Sequence, residues 1–174
     1  ETTVADNLTV TGTATITGGQ IVFPATQAAS TDGNTLDDYE EGTWTPVFTG
    51  ASSNPSGSFT EQHGDYVKIG RTVWVTCIIQ MNASGGSGGG SASIGGLPIS
   101  PDSADVYYEP MSIGFTLGLG TSIYQAFLQQ TTAAYLLGEP SSGARVHVDV
   151  DNIVSSDCSC LLYTSPSPRD RTRS

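Results

Sequence analysis

The chain has 174 residues, 17 Asp and Glu against 6 Lys and Arg, a net charge of −11 and 3 cysteines. A surface so short of cations does not neutralise phosphates, which excludes direct nucleic-acid binding. The cysteines form no CxxC half-site, so neither a zinc site of that type nor a disulfide framework is indicated.

The sequence opens on Glu1 with no basic start, apolar run or small-residue cleavage site, so no secretory signal is read there and the start is expected to be internal to a longer protein. Residues 1–23 read as a short β-stem. Residues 8–13, Leu-Thr-Val-Thr-Gly-Thr, are followed in register by residues 14–19, Ala-Thr-Ile-Thr-Gly-Gly. Repeats of this length build stems. Leu8, Val10, Ala14 and Ile16 fall on one face, and Thr9, Thr11, Thr15 and Thr17 on the other. One chain cannot cover such a stripe. Several parallel copies wound about a common axis can, and a hairpin docked on the following domain is the alternative.

Residues 24–42 read as an acidic connector, with Pro24, an Ala/Ser/Thr-rich stretch, the turn Asp32-Gly33-Asn34 and the acidic run at 37–41, and with no period of 2 or 3.6. Asp32, Asn34, Asp37 and Asp38 offer hard oxygen ligands suited to calcium, but their spacing departs from the EF-hand loop. A solvated or capping acidic turn is therefore expected, and no metal or other cofactor is assigned.

From residue 43 to 159 the pattern is all-β. Val73, Val75, Cys77, Ile79 and Met81 alternate with Trp74, Thr76, Ile78 and Gln80, giving a strand with two largely apolar faces and so an expected central place in its sheet. Val146, Val148 and Val150 alternate with Arg145, His147 and Asp149 as a half-exposed strand. Further strands are expected at 44–49, 66–69, 91–94, 111–117, 123–129 and 133–137, with a Gly/Ser-rich loop at 82–90 that nothing orders. About 115 residues in short strands suit a β-sandwich or jelly-roll-like head. In the last segment, residues 160–174, the run Ser-Pro-Ser-Pro excludes a strand or helix interior. The segment looks like a translated sequencing adapter, the alternative being a disordered Ser/Pro/Arg tail. Set aside, it leaves Lys68, Arg71 and Arg145 as the only cations.

One group of motifs goes further. Residues 36–46, Leu-Asp-Asp-Tyr-Glu-Glu-Gly-Thr-Trp-Thr-Pro, follow Ile-Val-Phe-Pro-Ala-Thr-Gln at 21–27, and precede Gly-Asp-Tyr-Val-Lys-Ile-Gly-Arg-Thr-Val at 64–73 and Gly-Leu-Pro at 96–98. In this order they resemble a module near the distal, C-terminal ends of bacteriophage tail fibre and tail spike proteins, strongly over residues 7–100 and weakly beyond. The resemblance implies a homotrimeric virion component, exposed at the phage tail outside the cell, that attaches to a receptor on the bacterial surface, a polysaccharide foremost. The alternatives are the non-catalytic end of a tail spike depolymerase and a purely structural trimerisation or capping module. The family pattern closes its head with a strand ending near Gly-Thr-Tyr-Arg, absent here, so the head is expected to be truncated with an open edge around 145–150.

Catalytic signals are weak. His63 beside Gly64 is expected in a turn, with Gly64 and Gly70 serving turn geometry. His147 is expected on a polar strand face, and neither histidine has a nucleophile motif beside it. Asp149 and Asp151 share a strand face, but nothing distinguishes them from a solvated edge. No enzyme activity and no membrane insertion are expected. Trp44 and Trp74 are assigned to the core, and Tyr124 to either side. Tyr107, Tyr108 and Glu109, in a loop bounded by Pro101 and Pro110, are the candidate receptor contacts: either the rings stack on sugars, or one of them packs inward.

Overall fold

The computed structural model describes residues 9–26, 30, 32, 34–70, 72–82, 88–99, 108–114, 123–129, 133–138, 146–150 and 162–163. Its elements are strands: β1 (Tyr39–Trp44), β2 (Val47–Gly50), β3 (Ser58–Ile69), β4 (Thr72–Asn82), β5 (Ala92–Gly95), β6 (Tyr108–Ile113), β7 (Ile123–Gln129), β8 (Ala134–Gly138), β9 (Val146–His147) and β10 (Leu162–Tyr163). They form two antiparallel sheets, a three-stranded one in the order β1-β3-β4 and a seven-stranded one in the order β10-β6-β7-β8-β5-β2 with β9 beside β8. The all-β expectation holds, as does the two-sheet head.

The first sheet is built around the β3–β4 hairpin. Ile69 pairs with Thr72 across the connection at 70–71, and the ladder runs back to Ser58 opposite Asn82, with a bulge between Phe59 and Glu61. Gly70 takes φ 55°, the left-handed conformation such a tight connection requires. β3 is far longer than the four residues expected, because the alternation of its first half is carried by polar residues, His63 and Asp65 facing water and Gln62 facing inward. β1 then adds to the free side of β3, Tyr39 opposite Ile69 and Trp44 opposite Gly64.

Three sequence expectations change here. The connector does not extend to residue 42, because its acidic end enters β1. The apolar run at 44–49 is split between sheets: Pro46, buried and without an N–H to give a ladder, lies between Trp44 of one sheet and Val47 of the other. β4 is not central but lies at the end of the three-stranded sheet.

In the second sheet β2 pairs with β5, Thr49 opposite Ser93 with their hydroxyls 2.8 Å apart. β8 shares one side between two partners: Ala134 and Tyr135 meet β5, while Leu137 and Gly138 meet β9. The strip that follows β9 is fastened there, since Val148 N–H donates to the Leu136 carbonyl (3.0 Å) and the Val148 carbonyl accepts from Ala92 N–H (2.6 Å). Val148 and Val150 are buried. The expected open, fraying edge at 145–150 is therefore corrected for the described part, residues 146–150. Leu162 and Tyr163, in the segment expected to form no folded element, pair with Ile113 and Ser112 as β10.

The inner faces of the two sheets close on one core. Trp44, Val73, Val75, Cys77, Ile79 and Met81 come from the first sheet, and Phe48, Ala92, Ile94, Met111, Ala126, Ala134 and Leu136 from the second. Ile79, Ile94 and Leu136 are fully buried; burying a side chain of this size contributes about 1.5–3 kcal/mol. Residues 9–24 form no strand in the single chain and are almost wholly exposed, with Val10, Ile16, Ile21 and Val22 all open to solvent.

Candidate functional site

The residues at 36–41 that carried the resemblance organise one side of the head. Strand alternation turns neighbouring residues to opposite faces. Asp38, expected in a solvated turn, is instead buried and paired with the ammonium of buried Lys68. Its backbone carbonyl also accepts from Gly70 N–H at 2.8 Å, tying the start of β1 to the hairpin turn. An ion pair this deep stays stable only if both partners are present. The other acidic residues act as local acceptors: Asp37 Oδ2 from Ser30 N–H (2.7 Å) and Asp32 Oδ1 from Asn34 N–H (2.9 Å). Among the described residues no group of three or more His, Cys, Asp or Glu is arranged to hold a metal ion.

Two surfaces follow from this anchoring. The first is a groove of about 880 Å³ between the extended segment Gln20 to Thr26 and β1, floored by Asp38 and Lys68. Phe23 leans on Tyr39 there with ring centroids 6.2 Å apart. Glu40, which lines the groove, accepts from the Tyr66 hydroxyl at 2.5 Å, and this bond to a carboxylate pushes the phenol up to about 12.

The second is the outer face of the three-stranded sheet. Register puts Glu41, Val67 and Trp74 in one row and Thr43, Asp65 and Thr76 in the next. Tyr39 and Ile69 lie on one side of these rows, and His63 with Ile78 on the other. Trp74 is 45% exposed, which corrects its assignment to the core. Trp44 is buried, its indole N–H donating to the Thr76 carbonyl at 3.1 Å. The Tyr39 hydroxyl donates to Glu41 at 2.6 Å, which raises the Tyr39 pKa from its ordinary value. His63 is not in a turn: it stands exposed in β3, 3.1 Å from Asp65. Gly64 beside it is also mid-strand, where the Trp44 indole packs so closely that a Cβ would fall 2.3 Å from its nitrogen.

On the second sheet, register gathers three rings that the sequence left scattered. Phe127 stacks on Tyr135 at 5.7 Å, and exposed His147 meets both edge-on, at 5.8 and 5.4 Å. Of the candidate receptor contacts, Tyr107 lies outside the described residues. Tyr108 and Glu109 open β6, their backbones opposite Gln129 and Leu128, but their side chains lie outside the described residues, as do those of Tyr124, Arg145 and Asp151. Among the described residues no helix is long and apolar enough to cross a membrane.

The chain matches no protein-family model and no curated protein. Among solved structures it is similar to the Dettilon tailspike protein. The similarity has a TM-score of 0.59 at 19% identity and covers 74% of this chain but 24% of that one. The chain shares its fold with part of that tailspike. At this identity the likeness speaks for architecture alone, and the chain spans about a quarter of the length of the tailspike it matches.

Proposed function

We propose that the chain is the distal part of a bacteriophage tail fibre or tail spike, a non-enzymatic, homotrimeric virion component that attaches to a polysaccharide on the bacterial surface. The observation that carries this is the tailspike-like two-sheet head. The order of motifs between residues 21 and 98 and the uncovered apolar residues of 9–24 support it. Three parallel copies would cover that stripe and set three heads side by side. Contacts each too weak to hold a cell then act together through effective concentration. Tyr107, Tyr108 and Glu109, the last two at the start of β6, remain the proposed contacts.

The experiment joins sedimentation of the purified chain with adsorption to bacterial cells before and after periodate oxidation of their surface glycans. A trimer whose adsorption is lost on oxidation is expected. A stable monomer at micromolar concentration, or adsorption that survives oxidation, overturns the proposal. A second version is favoured by the small share of the tailspike that the chain spans: the module is the non-catalytic end of a depolymerase. Release of reducing ends by the longer parent protein, but not by these 174 residues, would select it.

A further inference from the structure

The outer face of the β1-β3-β4 sheet carries an exposed indole beside Val67, in a face where carboxylates and hydroxyls alternate with apolar side chains. Trp74 stands opposite Val67, with Glu41 beyond it in the same row and Asp65 and Thr76 in the next. Strands lie roughly 4.8 Å apart, so the face from β1 to β4 spans about 10 Å, the breadth of one or two sugar rings. Its polar groups are of one kind. Glu41 and Asp65 are acceptors, each steadied by a neighbour that fills only part of its lone-pair capacity, the Tyr39 hydroxyl in one case and the His63 ring in the other. Thr43 and Thr76 add hydroxyls. Apart from His63, no basic side chain projects from this face among the described residues, because Lys68 is buried on the opposite side with Asp38.

We infer that this face is a binding site for a neutral, hydroxyl-rich glycan, with Trp74 as the stacking platform and Glu41 and Asp65 as acceptors for the sugar hydroxyls. A sugar offers a flat C–H face to the indole and a rim of O–H donors to the carboxylates. That combination fits an aromatic ring ringed by acceptors. Acidic glycans are repelled by the carboxylates and by the chain's net charge of −11. A second copy of this face would set like charges against each other. The site rests on the attachment reading above but lies on the other sheet from Tyr108 and Glu109 of β6, and it requires no movement, since the sheet already holds its groups in register.

The test uses the whole chain on an array of neutral, amine-bearing and acidic oligosaccharides, followed by calorimetry with the strongest neutral member. Trp74→Ala is expected to weaken that binding about tenfold or more, and Trp74→Phe to retain much of it. Binding should be nearly unchanged in about 0.5 M salt, because it is not an ion-pair contact. Circular dichroism checks that the exposed substitution leaves the fold intact. The inference is overturned if no neutral glycan binds, if Trp74→Ala binds as the wild type does, if only amine-bearing glycans bind and salt removes them, or if Trp74→Ala instead breaks up an oligomer. Cells separate the two proposals. If Trp74→Ala adsorbs like the wild type, this face is excluded while attachment stands; a wild-type chain that never adsorbs sinks the attachment reading, and the array alone then decides this one.

Discussion

Residues 9–22 and residues 72–82 are written in nearly the same alphabet, branched apolar side chains alternating with threonine and other polar groups. One becomes β4, with Val73, Val75, Cys77, Ile79 and Met81 buried; the other forms no strand and leaves Val22 86% exposed. The difference lies in the partner. β4 has β3 next to it in sequence, eleven registered pairs and a second sheet to close on, whereas residues 9–22 pair with no strand among the described residues. Alternation thus specifies a surface that needs covering, and topology decides whether the cover comes from the same molecule.

The sharpest way to break this contrast is to remove the uncovered half. Deleting residues 1–23, or replacing Val10 and Ile16 by Asp, should convert the proposed trimer to monomer in sedimentation while leaving the head's denaturation midpoint nearly where it was. If the head unfolds with it, the two regions are not separable. Within the head, Lys68→Ala strands the Asp38 carboxylate inside the protein and should cost about 3–5 kcal/mol in denaturant titration. The double replacement Asp38→Leu with Lys68→Met should restore most of that loss, since the two charges are removed together. Gly64→Ala forces a methyl into the Trp44 ring and should cost about 1–3 kcal/mol by the same measurement.

The smallest effect is one of pH. With Tyr66 held at about 12 in the folded chain and near 10 when unfolded, its contribution is fully present below pH 10 and is lost as pH rises from 10 to 12, because the unfolded phenol releases its proton first. Tyr66→Phe should lower stability modestly at neutral pH, where that contribution is present, and flatten the slope in alkaline denaturation curves.

Much of the head was legible from period alone. The buried face of β4 follows from alternation, and the strand at 123–129 and the burial of Trp44 agree with their assignments. Trp74 did not, because an apolar outer face reads the same whether another layer or a ligand covers it. Asp38 was hidden for a different reason: the side it takes is set by entry into β1, and its counter-charge Lys68 lies thirty residues away. The ring cluster of Phe127, Tyr135 and His147 depends on the pairing of three strands, which no local pattern encodes. β3 was missed over its first half because hydrophobicity does not mark a strand whose exposed side is His63 and Asp65 and whose inward side includes Gly64. β10 is two residues long, below the length at which any period can be seen.

The two-residue connection at Gly70 also bears on how the molecule is made. The first sheet is complete once residue 82 has left the ribosome, since β1, β3 and β4 all lie before it, whereas the second sheet waits for strands spread from residue 47 to 163. Synthesis therefore delivers a formed hairpin sheet early, with its apolar inner side temporarily uncovered. During translation the vulnerable interval is the time taken to make the second half of the chain, and a chaperone engaging the nascent protein would find its target on Val75, Ile79 and Met81.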